Sequence, residues 1–419
     1  MYNIKNIADT RQPMSYKKNN AKNAIHGFFL SIATTVAEPS TILPLIVHYF
    51  SSNLILVGIF TSLLRGGAIM VQLFAAFYAQ SYQKMMPYLR VVFFFRFLSW
   101  FLIGAAIYFV GDSNKTLTLW LIGIGLFFFA FSAGFGGIYF KEILAKVFSK
   151  SERGKTMANK QFFASFAAII SGGVAGWVLQ NFEAPQSYAY LFMISALLMA
   201  IGLVAFASIE EPVKHNVNVK EKSFIAFIKN ASKLFKNDSR LRMQIIISLL
   251  SYAFLFALPF VILKAKESFE LTGWLVGGFI TVQMIGSMFG NLFLWKKLTH
   301  DYVHMMQIAY ILMMSAFVIA LFASMPWHYV IIFLLFGIAM DGFRNADTNL
   351  ILEIAPETTR PVYVAIHSTI TSIGLFFAIP GGVLLQLFGY TFLYIFTILV
   401  LSLGLYTTRM LLREMKTIS

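Results

Sequence analysis

Gly176-Trp177-Val178-Leu179-Gln180-Asn181-Phe182 and Gly382-Val383-Leu384-Leu385-Gln386-Leu387-Phe388 write one pattern, Gly-x-x-Leu-Gln-x-Phe, twice in this chain, 206 residues apart. Both copies lie inside apolar runs. A second pair, Leu56-Val57-Gly58-Ile59-Phe60 and Leu275-Val276-Gly277-Gly278-Phe279, lies 219 residues apart. The two offsets differ, as expected where loops differ in length or a long linker separates one pair but not the other. An internal repeat constrains architecture before any single element is assigned. The chain reads as two related halves.

The sequence around these motifs is suited to lipid. Of its 419 residues 58% are hydrophobic, 45 are Phe and only 12% are charged, with mean hydropathy +0.73. A soluble domain carries about 25% charged residues. Apolar stretches of about 20 residues cross a bilayer as helices. Twelve are predicted, near 24–50, 54–79, 89–110, 117–140, 160–180, 187–208, 241–263, 271–295, 302–324, 327–351, 362–387 and 389–408. They are too long, and not alternating enough, for the strands of a membrane barrel. The expected fold is all-α and integral to the membrane, with twelve transmembrane helices in two pseudo-symmetric six-helix bundles, residues 24–208 and 241–408. Repeated halves of this kind are the build of many secondary transporters.

Charge placement gives the orientation. The net charge is +15 and the pI 9.7. With the N-terminus in the cytoplasm, cytoplasmic segments hold about 27 of the 33 Lys and Arg, the positive-inside pattern. Opposite loops hold Lys115, Lys264 and Lys266, while Arg65, Arg96 and Arg344 fall within spans. The basic balance therefore reports topology, not nucleic-acid binding. A multi-pass plasma-membrane protein with both termini cytoplasmic is expected, in contact with membrane lipids and acting as a monomer. The tail 1–23 lacks the order of a signal peptide. The chain has no cysteine, hence no disulfide framework and no thiolate metal site. No cofactor is implied, and no nucleotide-binding or metallohydrolase motif is present to suggest an enzyme.

Residues 209–240 form the long polar break between the halves, and 409–419 a short C-terminal tail. Within the break, Phe224, Phe227, Ile228, Ala231 and Phe235 share one helical face, with lysines elsewhere. This predicts an amphipathic helix on the anionic leaflet, serving as a linker or a regulatory element. Glycine clusters at 66–67, 172–176, 286–290 and 381–382 predict close helix approach. Pro39, Pro44, Pro259 and Pro380 predict kinks or local opening.

With these features the chain resembles the major facilitator superfamily over essentially its whole length, specifically a bacterial branch. The resemblance rests on twelve spans in two repeats, a basic central loop, and Ser151-Glu152-Arg153-Gly154-Lys155 after the fourth span, weakly echoed at Pro356-Glu357-Thr358-Thr359-Arg360. Pro39-Ser40-Thr41-Ile42-Leu43-Pro44 followed by Leu56-Val57-Gly58 adds to it. The resemblance implies a small-solute carrier whose spans one, four, seven and ten line a central cavity. It departs from the family in the loop after span two. Ala79-Gln80-Ser81-Tyr82-Gln83-Lys84 lacks the usual glycine and aspartate, so a cytoplasmic latch would fall to other residues, Arg153 or Arg360 among them.

A charge at mid-bilayer costs about 2.5–3.5 kcal/mol on insertion scales, so each needs a partner or a task. Six stand out: Glu38, Arg65, Arg96, Asp341, Arg344 and Asp347. None is duplicated when one half is shifted onto the other, which separates them from the shared frame. Glu38, before Pro39, is the leading candidate for proton coupling or substrate contact, since a carboxyl in apolar surroundings can take up and release a proton. A static ion pair with Arg65 or Arg96 is the alternative. Asp341, Arg344 and Asp347 are spaced i, i+3, i+6, which suits either a self-neutralising cluster or a site at Asp341. Asp347 is expected near the headgroups. Arg65 and Arg96 suit a carboxylate or phosphate, although Arg96 is expected near a span end, where it can snorkel. His26, His48 and His367 are expected at interfaces. Three arginines against three carboxylates leave the cargo's charge open. A non-transporting relative with a collapsed apolar centre, or an uncoupled facilitator, are the alternatives to a proton-coupled carrier.

Overall fold

The computed structural model describes residues 13–213, except 36–37, 39, 70, 72–74 and 76–81, and residues 235–418, except 299–300 and 357–359. Among the described residues the regular structure is entirely helical. The first half holds α1 (Pro13–Thr35 and Ile42–Phe50), α2 (Leu54–Gly66), α3 (Met86–Phe109), α4 (Lys115–Val147), α5 (Lys150–Asn181) and α6 (Gln186–Ala207). The second holds α7 (Ser239–Ser251 and Leu258–Ser268), α8 (Gly273–Phe289), α9 (Tyr302–Phe322) and α10 (Pro326–Ile354). Then α11 runs from Arg360–Thr371 on through 378–388, and α12 covers 390–418. The last two read as one continuous helix, Ala378–Ile418, except at Gly389, whose φ of 79° reverses the chain. Only a residue without a Cβ takes that conformation freely.

Among the described residues nine segments are long and apolar enough to cross a membrane; one of them, Ile366–Arg413, contains both α11 and α12. Adding the broken α1 and the shorter α2 accounts for the twelve-span plan. The amphipathic segment of the linker lies, apart from Phe235, outside the described residues. So does the first half of the 79–84 loop.

Three helices break, and a proline follows each break. The first segment of α1 ends at Thr35 and the second starts at Ile42, and the chain turns 3-10 at Tyr252–Phe256 in α7 and Ser372–Phe376 in α11. Pro44, Pro259 and Pro380 lie in the turn that follows. A proline lacks the amide hydrogen, and its ring crowds the carbonyl four residues back. Those crowded positions, Ser40, Leu255 and Phe376, all fall within the breaks. The expected kinks therefore appear one turn ahead of the prolines.

Within the first half α1 packs on α5 and α6, and α3 on α4 and α6; within the second α8 and α9 pack on α10. Two seams join the halves, α5 on α8 and α2 on α11. The repeated motifs meet there crosswise. A Cβ on Gly176 of α5 would lie 3.1 Å from the Gly273 carbonyl and 3.2 Å from the Cα of Gly277 in α8. A Cβ on Gly382 of α11 would lie 3.0 Å from the Cα of Ile55 in α2, and one on Gly58 would run into the Ala378 carbonyl. The motif shared by α5 and α11 thus docks on the motif shared by α2 and α8. Missing side chains let the backbones approach, the usual basis of helix association in lipid. The Gln180 side chain adds a cross-half bond by accepting from the Gly273 amide at 3.1 Å.

Short connections make successive helices antiparallel, so both chain ends share one face, the terminal face. Both seams sit toward the opposite face. On the terminal face Glu211, just past α6, accepts from the amides of Met85 at 2.8 Å and Met86 at 2.7 Å, and pairs with Lys146 at 2.5 Å. It caps α3 and ties it to α4.

Candidate functional site

Between the halves lies a cavity of about 480 Å³. Five of the six charged candidates line it: Glu38 from α1, Arg65 from α2, Arg96 from α3, and Asp341 and Arg344 from α10. Of the spans expected to form the lining, one, four and ten do so, and seven is the correction. Helix α7 supplies none of the lining residues, α4 gives only Phe129 and Ala133, and α3, α5 and α8 contribute polar groups or bulk. The break in α7 and its proline-led second segment direct apolar residues inward, and Phe254 through Leu263 are all buried. At the terminal-face end Gln161 is exposed and the Arg344 side chain is 69% exposed, so the cavity opens there. At the other end the seams shut it.

Glu38 sits in the α1 break with 7% exposure. Its Oε2 accepts from the Ser40 amide at 2.6 Å, from the Thr41 hydroxyl at 3.2 Å and from the Ser40 hydroxyl. These groups lie just ahead of the second α1 segment, which starts at Ile42. The carboxyl therefore holds the turn that leads into that segment. Its Oε1 lies 3.9 Å from an Arg65 nitrogen, a long ion pair. The Ser40 hydroxyl also reaches Gln283 of α8 at 3.2 Å, linking this corner to the second half.

Asp341 anchors the other side. Its Oδ1 pairs with Arg344, and its Oδ2 accepts from the Ser287 hydroxyl and from the Asn291 amide at 2.8 Å. Asn291 lies in a π turn, Gly290–Leu294, that prolongs α8, and π turns often re-aim side chains at functional positions. Asn345 donates to Asn291 at 2.9 Å, whereas Thr348 and Asn349 bond back to their own helix. The sequence offered a signal for this group. Gln283, Ser287 and Asn291 recur every four residues on one face of an apolar helix, a quieter signal than a charge because uncharged polar residues are common in such helices.

Arg96 is corrected. Helix α3 starts at Met86, so Arg96 is ten residues in, about 15 Å along the axis and too deep to snorkel. Its guanidinium lies 4.6 Å from the Phe129 ring centre, a contact worth about 0.5–2 kcal/mol. Phe129 in turn packs on Trp100 at 4.1 Å, whose indole donates to Ser195 at 3.0 Å. The same reasoning overturns the interfacial reading of His26. Helix α1 begins at Pro13, and His26 lies 3% exposed among Phe93, Phe140 and Phe206.

The α10 cluster is corrected too. Six residues rotate a helix by about 240°, so Asp341 and Asp347 cannot share a face. Asp347 turns away from the cavity, into the contact of α7, α10 and α11. Its Oδ1 accepts from Gln244 at 2.8 Å and from Ser248, both in α7, and lies 3.1 Å from His367 Nε2 in α11. His367, expected at an interface, is buried, and its Nε2 is also 2.9 Å from Ser248 Oγ. Arg344 keeps to Asp341. Three arginines thus meet two carboxylates in the cavity, not three. Arg153 falls in the first turn of α5 and Arg360 opens α11; their side chains lie outside the described residues.

The sequence matches the family model described as Major Facilitator Superfamily over residues 24–376. No curated protein matches it. Among solved structures the chain is similar to the nucleoside transporter NupG, with TM-score 0.75, 12% identity, and coverage of 94% of this chain and 99% of that one. It is also similar to a POT family transporter solved with a thioalcohol-conjugated peptide, with TM-score 0.71, 12% identity and 96% coverage of both chains. A third is a bacterial homologue of the iron transporter ferroportin in an inward-facing state, with TM-score 0.71, 10% identity, and coverage of 94% and 98%. At these identities the likeness is one of fold.

Proposed function

The chain belongs to the Major Facilitator Superfamily, and from that premise we propose that it carries a small solute across the membrane by alternating access, coupled to protons. The observation that carries this reading is the cavity itself. It draws on both halves, lies midway along the helices and holds five charged side chains. A non-transporting relative would have an apolar, collapsed centre, and this centre carries charged side chains and is open at one end. Residues 24–208 and 241–408 would rock as two bodies about the glycine seams, opening the cavity first to one face and then to the other. The terminal face is assigned to the cytoplasm, in a plasma membrane, by the basic residues gathered there.

Glu38 is the proposed proton carrier, with Asp341 as a second candidate. Glu38 holds Arg65 loosely and sits where α1 is already broken, so gaining or losing a proton there changes both a cross-helix contact and the turn that leads into the second α1 segment. The test begins with purified protein and a broad metabolite panel, because a true ligand raises the melting temperature by mass action. A stabilising solute is then supplied to proteoliposomes under an imposed pH gradient. Uptake should collapse when the gradient is dissipated, and should fall by about tenfold or more in Glu38→Gln. Undiminished gradient-driven uptake by that variant removes Glu38 as the coupling group. Uptake indifferent to the gradient identifies a facilitator instead.

A further inference from the structure

The charges in the cavity do not balance, and the imbalance is concentrated on one side chain. This inference rests on the carrier reading and concerns the nature of its cargo. Of the two carboxylates lining the cavity, Asp341 has Arg344 on one oxygen and Ser287 and Asn291 on the other. Glu38 gives one oxygen to Ser40 and Thr41 and leaves the other for Arg65 at 3.9 Å. Asp347, which would even the count, is withdrawn into the Gln244, Ser248 and His367 network.

Arg96 is left over. Among the described residues it has no carboxylate partner, its Nε has no hydrogen-bond partner, and the Phe129 face is its one close charge-stabilising contact. Arg65 also has an unfilled Nε. Relief does not come from the protein behind it. Lys160 of α5 offers no counter-charge, and its ammonium lies over the Phe140 ring, 3.8 Å from its centre. An unpaired guanidinium in low dielectric is costly, by several kcal/mol after relaxation. Such a cost is offset where an anion arrives from outside the protein to complete the pair. A planar guanidinium fork matches a carboxylate in particular, by two parallel N–H···O bonds.

We propose that the cargo is a small organic carboxylate whose charged head docks on Arg96, with Arg65 as a second donor. The Trp100 and Phe129 wall and Met284 and Met340 face its apolar part. The cavity, of about 480 Å³, lies in the size range of small-molecule sites and has room for such an acid.

The experiment compares charge at constant shape. Monocarboxylates from acetate to benzoate, with their matched primary amides and amines, are added to the purified protein at about 10 mM and the melting temperature is followed. At least one carboxylate should stabilise where its amide and amine do not. Its affinity should fall by about tenfold to a hundredfold in Arg96→Gln, with part retained in Arg96→Lys. The comparison on the unaltered protein stands even if the glutamine variant folds poorly. Three results overturn the proposal: no carboxylate stabilises, an amide or amine does so equally, or the gain survives Arg96→Gln. Counterflow of whichever compound stabilises separates this from the carrier reading. Exchange of a labelled amide would reject the anion and keep the carrier, whereas a bound carboxylate that never exchanges would reject the carrier and keep the site.

Discussion

At the scale of single residues, position along a helix matters less than which way a side chain is turned. Asp347 and Asp341 lie on one helix, six residues apart, and do different work. Asp347 holds α7, α10 and α11 together through Gln244, Ser248 and His367. Removing it leaves buried donors unpaired, so Asp347→Ala should destabilise the protein by about 3 kcal/mol. Thermal unfolding in detergent measures this, and the preference for carboxylate over amide should persist. A variant as stable as its parent but unable to transport would move Asp347 into the transport machinery. The sequence made Glu38, Arg65, Asp341 and Arg344 legible because an ion in an apolar run is conspicuous. It concealed the depth of Arg96 and His26, since both depend on where a helix begins, and the polar first turns of α1 hid its start. It concealed the partners of Asp347 as well, because they come from two other helices.

At the scale of elements, the two repeated motifs were legible as a repeat but not as a contact. Offsets of 206 and 219 residues say that the halves correspond, and nothing in them says that Gly176 faces Gly277. Replacement of Gly277 tests this contact directly. A Cβ there would run into the Gly172 carbonyl and lie 2.7 Å from the Gly176 Cα, so the seam has to part to admit it. Gly277→Ala should destabilise the protein by about 1–3 kcal/mol in thermal unfolding, whereas Gly278→Ala, whose Cβ has open space, should not. If the two variants unfold alike, the α5–α8 seam is looser than the glycine contact requires. The breaks in α1, α7 and α11 were foreseen from prolines, but their placement one turn earlier follows from the ring's clash with a carbonyl and needed no tertiary information.

At the scale of the whole molecule, the features common to both halves build the frame, and the unshared charges define its cavity. Crosswise docking of the shared motifs gives two equivalent lines of contact, with little side-chain interlock at the glycines to resist sliding. The long pair between Arg65 and Glu38 has an electrical consequence. A carboxylate that takes Arg65 competes with Glu38, and a proton on Glu38 releases the arginine to it. One negative charge is then exchanged for another, and the site has the same charge full as empty. Moving one monoanion with one proton transfers no net charge, so membrane voltage does no work on the cycle. The attainable gradient is set by pH alone, about tenfold per unit, or 1.36 kcal/mol. Potassium diffusion potentials imposed across proteoliposomes should leave the final accumulation unchanged, and a level that follows the voltage would show that the stoichiometry is not one to one.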